Sequence, residues 1–146
     1  ANEADVLAVA MDQITIAEQD NANFIFVHPS TITKLKLVKV SSTDKRYVDF
    51  QNRFQVINGQ AYIDGIPMIG TTLVTLGEYL IGNFDMATLY EKGSMTVMVG
   101  LDGNDFTKNL RTFLVEWRGL VLVKTNDRTA FVKGVFATDM AALETA

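Results

Sequence analysis

The sequence lacks cysteine altogether and contains a single histidine, His28. The absence of cysteine excludes a disulfide framework and any thiolate metal site. A lone histidine without a second histidine or a cysteine nearby is a poor metal ligand, and no serine or cysteine is placed to act as its nucleophile. We therefore predict no catalytic residue, no metal site and no cofactor, and expect His28 or Ser30 to cap a helix that begins at Pro29.

Basic charge and long apolar runs are also scarce. The 13 Lys and Arg residues are outnumbered by 17 Asp and Glu residues, which leaves a net charge of −4. A nucleic-acid-binding domain would be strongly basic, so this charge argues against sequence-specific nucleic-acid binding. No apolar run approaches the roughly 20 residues that a membrane span requires. Because the chain starts at Ala1 without an initiator methionine, we expect a processed or excised part of a longer protein.

The apolar content is sufficient for a folded domain. Hydrophobic residues make up 48% of the 146 residues, enough for one domain with a sizeable core. An amphipathic helix is predicted from Asn2 to Glu18, with Asn2 and Asp5 at its start. The run Phe24–Val27 is continuously apolar and β-favouring, which predicts a strand in the centre of a sheet.

The middle of the chain is rich in turn signals. The polar segment from Ser41 to Arg53 carries mixed charge and no sustained period, which predicts a long exposed loop. Asn58-Gly59 is a strong hairpin signal because both residues tolerate positive φ. Pro67 restricts its strand to an edge or an end position. The acidic stretch from Asp102 to Asp105 fails the calcium-loop pattern and is predicted to be a tight turn.

An unusually long strand is predicted from Phe106 to Lys124. Its odd positions from Phe113 to Val123 are apolar and are interrupted only by Gly119. A helical period also fits this stretch, but glycine weakens a helix interior by roughly 1 kcal/mol. The residues that favour strands are Thr112, Phe113, Val115, Trp117, Val121 and Val123. Globular strands typically have about 5–6 residues, so a strand of this length suggests a part that is shared with another molecule.

Two further expectations concern the surroundings of this strand. Glu116 and Arg118 lie two residues apart on one side of it, where a mutual salt bridge is the simplest role. The apolar run from Ala130 to Phe136 predicts a second ribbon that pairs antiparallel with the first. The tail from Ala137 to Ala146 is predicted to be frayed.

A set of residues in the second half of the chain forms a spaced signature. It comprises Phe106, Lys108, Asn109, Glu116, Arg118, Gly119, Leu120, Ala130, Phe131, Lys133, Gly134 and Phe136. Upstream, Gly65-Ile66-Pro67-Met68 and the stretch from Gly77 to Phe84 have matching order and spacing. These residues resemble the C-terminal portion of tailed-bacteriophage major capsid proteins of the Hong Kong 97 fold, except that Asn83 stands where that family often has Asp.

The resemblance implies an α+β fold in two parts. Residues 1–104 would form the axial domain, a mixed sheet flanked by helices. Residues 105–146 would form a long strand and C-terminal β-ribbon of the peripheral domain, and a return strand from this part into the axial domain stays open as an alternative. It further implies a structural subunit, not an enzyme, of an icosahedral phage or prophage head. Copies of the full-length protein would assemble in the bacterial cytoplasm into pentamers and hexamers that enclose the genome in the virion. Other copies are then the expected partners, with no membrane, and the fragment alone would be a monomer or weak oligomer.

Residue-level expectations also follow from the resemblance. Asp44, Lys45 and Arg46 would face the same loop of neighbouring subunits at a symmetry axis. In some members, an Asn and a Glu at positions matching Asn109 and Glu116 support an isopeptide cross-link to a lysine of a neighbouring subunit, with the Glu as base. The extended loop that carries this lysine is not recognisable here, so a structural strand pair is favoured.

Two alternatives remain open. The shell of an encapsulin nanocompartment shares the fold but encloses protein cargo. A small ligand-binding or enzyme domain would instead require a pocket with convergent polar groups and shifted pKa values, and the sequence offers no pair of His, Cys or carboxylate side chains to build one.

Overall fold

The computed structural model describes residues 2–18, 20–38 and 53–145. The predicted loop residues Asp44, Lys45 and Arg46 lie outside the described residues. The helices are α1 (Glu3–Glu18), α2 (Pro29–Lys36), α3 (Asp105–Lys108) and α4 (Phe136–Thr145). The strands are β1 (Phe24–Val27), β2 (Phe54–Ile57), β3 (Gln60–Ile63), β4 (Ile66–Gly70), β5 (Glu78–Gly82), β6 (Ala87–Glu91), β7 (Thr96–Gly100), β8 (Thr112–Glu116), β9 (Gly119–Val123) and β10 (Phe131–Val135).

The chain divides into two compact units. Unit 1 comprises Ala1–Met86 and Lys124–Ala146, and unit 2 comprises Ala87–Val123. The sequence placed a boundary after residue 104, whereas the observed units separate after Met86 and again after Val123. Unit 2 begins directly after Met86 because β6 pairs with β9 and β7 pairs with β8. Both sides of the ribbon therefore belong to one unit.

Unit 1 contains a six-stranded mixed sheet in the order β10-β5-β1-β4-β3-β2. The predicted central position of β1 is confirmed: it pairs in parallel with β4 and antiparallel with β5. The side chains of Ile25, Val27, Tyr79 and Ile81 share one face of the sheet and are buried. Leu7 and Ile14 of α1, Leu35 of α2 and Phe136 of α4 join them in one core cluster. The helices of unit 1 therefore cover this face.

The start of α1 follows its sequence signal. The backbone N–H of Asp5 donates to Oδ1 of Asn2 over 3.0 Å, and the N–H of Asn2 donates back to Oδ2 of Asp5 over 2.9 Å. This reciprocal pair satisfies two donors that a helix N-terminus leaves unpaired. The predicted helix and its start are confirmed.

The short helix α2 is capped as predicted. His28 precedes Pro29 at the first helical position, and Nδ1 of His28 accepts a hydrogen bond of 3.2 Å from the N–H of Ser30. Proline fits this position because its fixed φ is helical and its missing N–H would have no intrahelical partner. Of the two predicted caps, His28 is the one that the structure uses.

The Asn58-Gly59 hairpin is also confirmed. Asn58 has φ of 51° and Gly59 has φ of 84°, and they join β2 to β3. The sequence predicted that Pro67 lies in an edge strand or at the end of a strand, and it lies near the start of β4. β4 lies inside the sheet between β1 and β3, but its pairing with β1 begins only at Met68. Pro67 therefore lies beyond the segment where an N–H would be needed for that ladder.

The antiparallel pairing predicted between the two ribbons is not found, and the chain instead returns to the sheet of unit 1, the alternative that the sequence left open. β10 pairs antiparallel with β5 and becomes an outer strand of the unit 1 sheet. This pairing places Phe131 opposite Gly82, where the missing side chain leaves room for the aromatic ring. The prediction of a frayed tail is also wrong, because α4 begins at Phe136, and Met140 and Leu143 pack against the core. Their i, i+4, i+7 spacing is a helical stripe.

The single long strand is likewise corrected. The stretch begins with the helical turn α3 and then forms two strands of five residues, β8 and β9, with different partners. Trp117 and Arg118 separate them, opposite four residues, 92–95, on the other side. The two extra residues on one side interrupt the ladder as a bulge does, while the N–H of Lys92 still donates to the carbonyl of Arg118 over 2.9 Å.

Candidate subunit interface

Unit 2 has no buried residue. All of its residues are exposed except Ala87, Asp105 and Val123, which are half-buried. Its exposed large apolar side chains are Leu89, Tyr90, Met95, Val97, Met98, Val99, Leu101, Phe106, Leu110, Phe113, Leu114, Val115, Trp117, Leu120, Val121 and Leu122. Two-stranded ribbons are at best marginally stable in water, and monomers rarely expose apolar patches much beyond a few hundred Å². Unit 2 therefore exposes the kind of apolar surface that contact with further protein would bury.

The connection between β7 and β8 is held in shape by Asp105. Its Oδ2 accepts hydrogen bonds from Oγ1 of Thr112 over 2.6 Å and from the N–H of Asp102 over 2.9 Å. The predicted tight turn is thus present, and it runs into α3 rather than directly into a strand. On α3, Phe106 is 81% exposed. An exposed aromatic ring on a pre-ordered turn is suited to contact with another protein.

These hydrogen bonds lead to a prediction for Asp105. The bond from Thr112, followed by that from the Asp102 backbone, lowers the pKa of Asp105 below its usual value. Replacing Thr112 by Val is expected to raise this pKa, because the carboxylate loses its shortest donor. A carboxyl-carbon NMR titration measures the shift. The control is Thr107→Val, since Oγ1 of Thr107 donates to the carbonyl of Asn104 instead. An equal shift in both variants would contradict the assignment.

The cross-link candidates Asn109 and Glu116 are not brought together within one copy. Asn109 follows α3 in a left-handed conformation with φ of 55°. The β7–β8 ladder begins at Gly100 opposite Thr112 and ends at Thr96 opposite Glu116. At 3.3 Å per residue, Glu116 lies about 13 Å beyond Thr112. Asn109 and Glu116 therefore lie towards opposite ends of the β7–β8 ladder.

The expected salt bridge between Glu116 and Arg118 is wrong. Both residues are described, and no ion pair joins them. Ion pairs elsewhere among the described residues include Glu3–Lys34, Asp5–Arg53, Asp64–Arg53 and Glu78–Lys133. The prediction assumed an unbroken strand, in which side chains two residues apart share a face. In the structure β8 ends at Glu116, so Arg118 lies outside the strand, between β8 and β9.

Neither a cluster of three metal ligands nor a membrane-spanning helix is present among the described residues. In residues 2–18, 20–38 and 53–145 no group of three or more His, Asp or Glu side chains could hold a metal ion. Among the same residues, no helix is both long enough and apolar enough to span a bilayer.

Sequence reasoning missed a polar network around Asn83 in unit 1. Asn83 is 4% exposed, and its Nδ2 donates to Oδ2 of Asp20 over 2.8 Å. Its Oδ1 accepts from Nδ2 of Asn23 and from the N–H of Asp85. Its N–H donates to the carbonyl of Ala130 over 2.9 Å. Together these bonds tie the segment that leads into unit 2 to the segment that returns from it.

Aromatic rings reinforce this joint. Phe84 lies in edge contact with Phe24, Phe26 and Phe131, with ring centroids 5.0 to 6.2 Å apart. Such pairs add roughly 0.5–1.5 kcal/mol each beyond the area that they bury. The only sequence signal for this polar and aromatic network was Asn83, which stands where the resembled family often has Asp.

Comparison with models of known protein families gives no match. Comparison with curated proteins finds the major capsid protein of Enterobacteria phage HK97, which is 30% identical over 141 residues and covers 92% of this chain. The predicted resemblance to phage major capsid proteins is confirmed. The chain spans about a third of that relative, 34% of its length. A mixed sheet with helices is compatible with a fragment of such a capsid protein.

Proposed function

We propose that the protein is a structural subunit of an icosahedral phage or prophage head. In this proposal, copies assemble in the bacterial cytoplasm into pentamers and hexamers that enclose the genome in the virion. The proposal rests on the similarity to the major capsid protein of phage HK97, and the absence of any buried residue in unit 2 agrees with it. A domain that works alone has a core, whereas this ribbon acquires one only by packing against other protein.

The domain roles belong to the same proposal. Unit 1, with its packed core, would be the axial domain that lies around the symmetry axes of pentamers and hexamers. Unit 2 would be part of the peripheral domain that joins neighbouring capsomers. Repeated heterologous contacts of this kind build closed assemblies from identical copies.

A ligand-binding or enzyme domain is less well supported. A cavity of about 230 Å³ lies between α1, α4, β5 and β10. Its buried polar group is the Tyr79 hydroxyl, which donates to Oδ2 of Asp139 over 2.9 Å. Burial, followed by this hydrogen bond, raises the pKa of Tyr79. A phenol that stays protonated and pairs with a carboxylate has the character of a structural contact.

Expression of the full-length gene product followed by electron microscopy of the soluble fraction tests the function. Uniform hollow particles are expected. Monomers that bind a small molecule saturably would overturn the proposal in favour of the ligand-binding class. Two observations distinguish a phage head from an encapsulin. Encapsulin particles contain protein cargo, and a phage head gene lies among portal, protease and terminase genes.

A further inference from the structure

Three residues other than glycine have positive φ in the described part of the chain. They are Asn58 at 51°, Asp64 at 48° and Asn109 at 55°. The two asparagines are both exposed, but they differ in the residue that follows. Asn58 precedes Gly59, whereas Asn109 precedes Leu110. The following residue supplies the backbone nitrogen closest to the side-chain amide, so it decides whether that amide can be attacked.

The backbone nitrogen of Gly59 is available as a nucleophile. In a two-residue turn the flanking residues, here Ile57 and Gln60, pair with each other. The Gly59 N–H makes no hydrogen bond to any other described residue. A Cβ built at Gly59 would meet nothing within 4 Å, so the space around the nitrogen is open. The N–H of Leu110, by contrast, donates to the carbonyl of Asp105 over 2.9 Å.

The turn at Asp64-Gly65 has similar backbone geometry but a different side chain. Attack on its carboxylate would have to expel an oxygen, which is a poorer leaving group than ammonia. Its two carboxylate oxygens also accept hydrogen bonds of 3.4 Å from the guanidinium group of Arg53. Of the three positions, only Asn58 therefore combines a side-chain amide, a following glycine and an unpaired N–H.

We propose that Asn58 is a site of spontaneous deamidation through a cyclic succinimide. The nitrogen of Gly59 bonds to Cγ of Asn58, and Nδ2 leaves as ammonia with the hydrogen of the Gly59 nitrogen. Water then opens the ring at either of its two carbonyl carbons, and its hydrogen returns to the nitrogen. One opening gives aspartate, and the other gives isoaspartate, in which the backbone runs through the side-chain carbon. The net reaction converts an amide and water to a carboxylate and ammonium.

The two products differ in their effect on the hairpin. Isoaspartate adds one carbon to the backbone of a two-residue turn, and the length of the turn fixes the register between β2 and β3. β2 is the outer strand of the unit 1 sheet and lies beside β3 alone. Isoaspartate therefore weakens the β2–β3 ladder, whereas aspartate, which tolerates the same positive φ, preserves it.

Incubation of the folded full-length protein, followed by peptide mass spectrometry, tests the site. The peptide that contains Asn58 should gain the mass difference between an amide and an acid severalfold faster than the peptide that contains Asn109, the matched control. Electron-transfer fragmentation separates isoaspartate from aspartate. Equal rates at the two residues would overturn the proposal. Conversion of Asn58 in urea-unfolded protein alone would also overturn it, because the folded protein would then protect this turn.

Hydrogen exchange tests the effect on the ladder. Protection of the β2 amides should fall in the isoaspartate fraction and stay at the parent value in an Asn58→Asp variant. That variant carries the charge of the product without the additional backbone carbon. Equal protection in the isoaspartate fraction and in the variant would contradict the proposed loss of pairing. Both measurements are made on unassembled protein, so their outcome is independent of the proposed shell function.

Discussion

Replacing Asn83 by Asp is expected to lower the free energy of unfolding by about 3 kcal/mol at pH 7, because it removes a buried donor and adds a buried charge. The Asn83 side chain donates from Nδ2 to the Asp20 carboxylate over 2.8 Å. An ionised carboxyl group at position 83 has no hydrogen to donate, so the substitution sets two carboxylates against each other. The acceptor role of Oδ1 towards Asn23 and Asp85 is retained, which confines the loss to one contact.

The loss should depend on pH in a defined direction. Burial and the neighbouring carboxylate both disfavour the charged form, so the pKa of the new carboxyl group is raised in the folded state above its usual value of about 3.9. The folded state then binds more protons than the unfolded state, and the stability of the variant falls as pH rises from about 4 through the raised pKa. Below that range the variant should approach the parent protein.

Urea unfolding of the parent and the variant, followed by far-UV circular dichroism between pH 4 and pH 8, measures this difference. The signal reports unit 1, because α1, α2 and α4 all lie there. Asn58→Asp is the control, since Asn58 is exposed in the hairpin turn and aspartate also tolerates positive φ. A loss for Asn83→Asp that is the same at every pH, or no larger than that of the control, would refute the proposed role of Nδ2.

Local features of the fold were predictable from sequence. The start of α1 depends on Asn2 and Asp5, three residues apart, and the β2–β3 turn depends on two adjacent residues. The cap of α2 depends on His28 and Pro29. In each case the interacting groups are neighbours in the chain, so residue type and spacing specify the geometry without knowledge of the rest of the fold.

Features that depend on a distant partner were not predictable in the same way. β10 pairs with β5 because a glycine at position 82 admits the ring of Phe131, and neither strand reveals this by itself. The interruption at Trp117 and Arg118 arises from the extra residues at 92–95 on the opposite side. A strand's own alternation reports burial and not the identity of its partner.

The apolar surface of unit 2 was also predictable only in part. The apolar odd positions of the ribbon, such as Phe113 and Val121, indicated a buried strand, and the resemblance indicated contacts between copies. The structure adds that the even positions Leu114 and Leu122 are also exposed, so both faces of unit 2 lack cover. Sequence alone could not separate burial by the chain itself from burial by a neighbour, because both require the same apolar pattern.

Replacing Gly82 by Ala is expected to lower the free energy of unfolding of unit 1 by about 2–3 kcal/mol, because the added methyl group has no space. A Cβ at Gly82 would lie 2.4 Å from Cδ1 of Phe131 and 2.8 Å from the carbonyl oxygen of Ala130. That carbonyl accepts the hydrogen bond from the N–H of Asn83, and the ring of Phe131 contacts Phe84. Neither group can move without breaking the Asn83–Ala130 hydrogen bond or the contact between the Phe84 and Phe131 rings.

Gly119→Ala is the matched control for this substitution. Its Cβ would approach Cη2 of Trp117 equally closely, at 2.4 Å, but Trp117 is 49% exposed and its ring can swing into solvent. The free energy of unfolding of unit 1, measured by urea unfolding with circular dichroism, should therefore fall clearly for Gly82→Ala and change by less than about 0.5 kcal/mol for Gly119→Ala.

Fluorescence separates the two responses further. Trp117 is the single tryptophan of the chain and lies in unit 2, so its emission should shift in the Gly119→Ala variant and stay unchanged in folded Gly82→Ala. Equal losses of stability from both substitutions would mean that Gly82 is required for its backbone conformation or for strand pairing in general. A loss confined to Gly82→Ala would instead assign its role to the close approach of Phe131, the contact that fixes β10 beside β5 where the chain returns from unit 2.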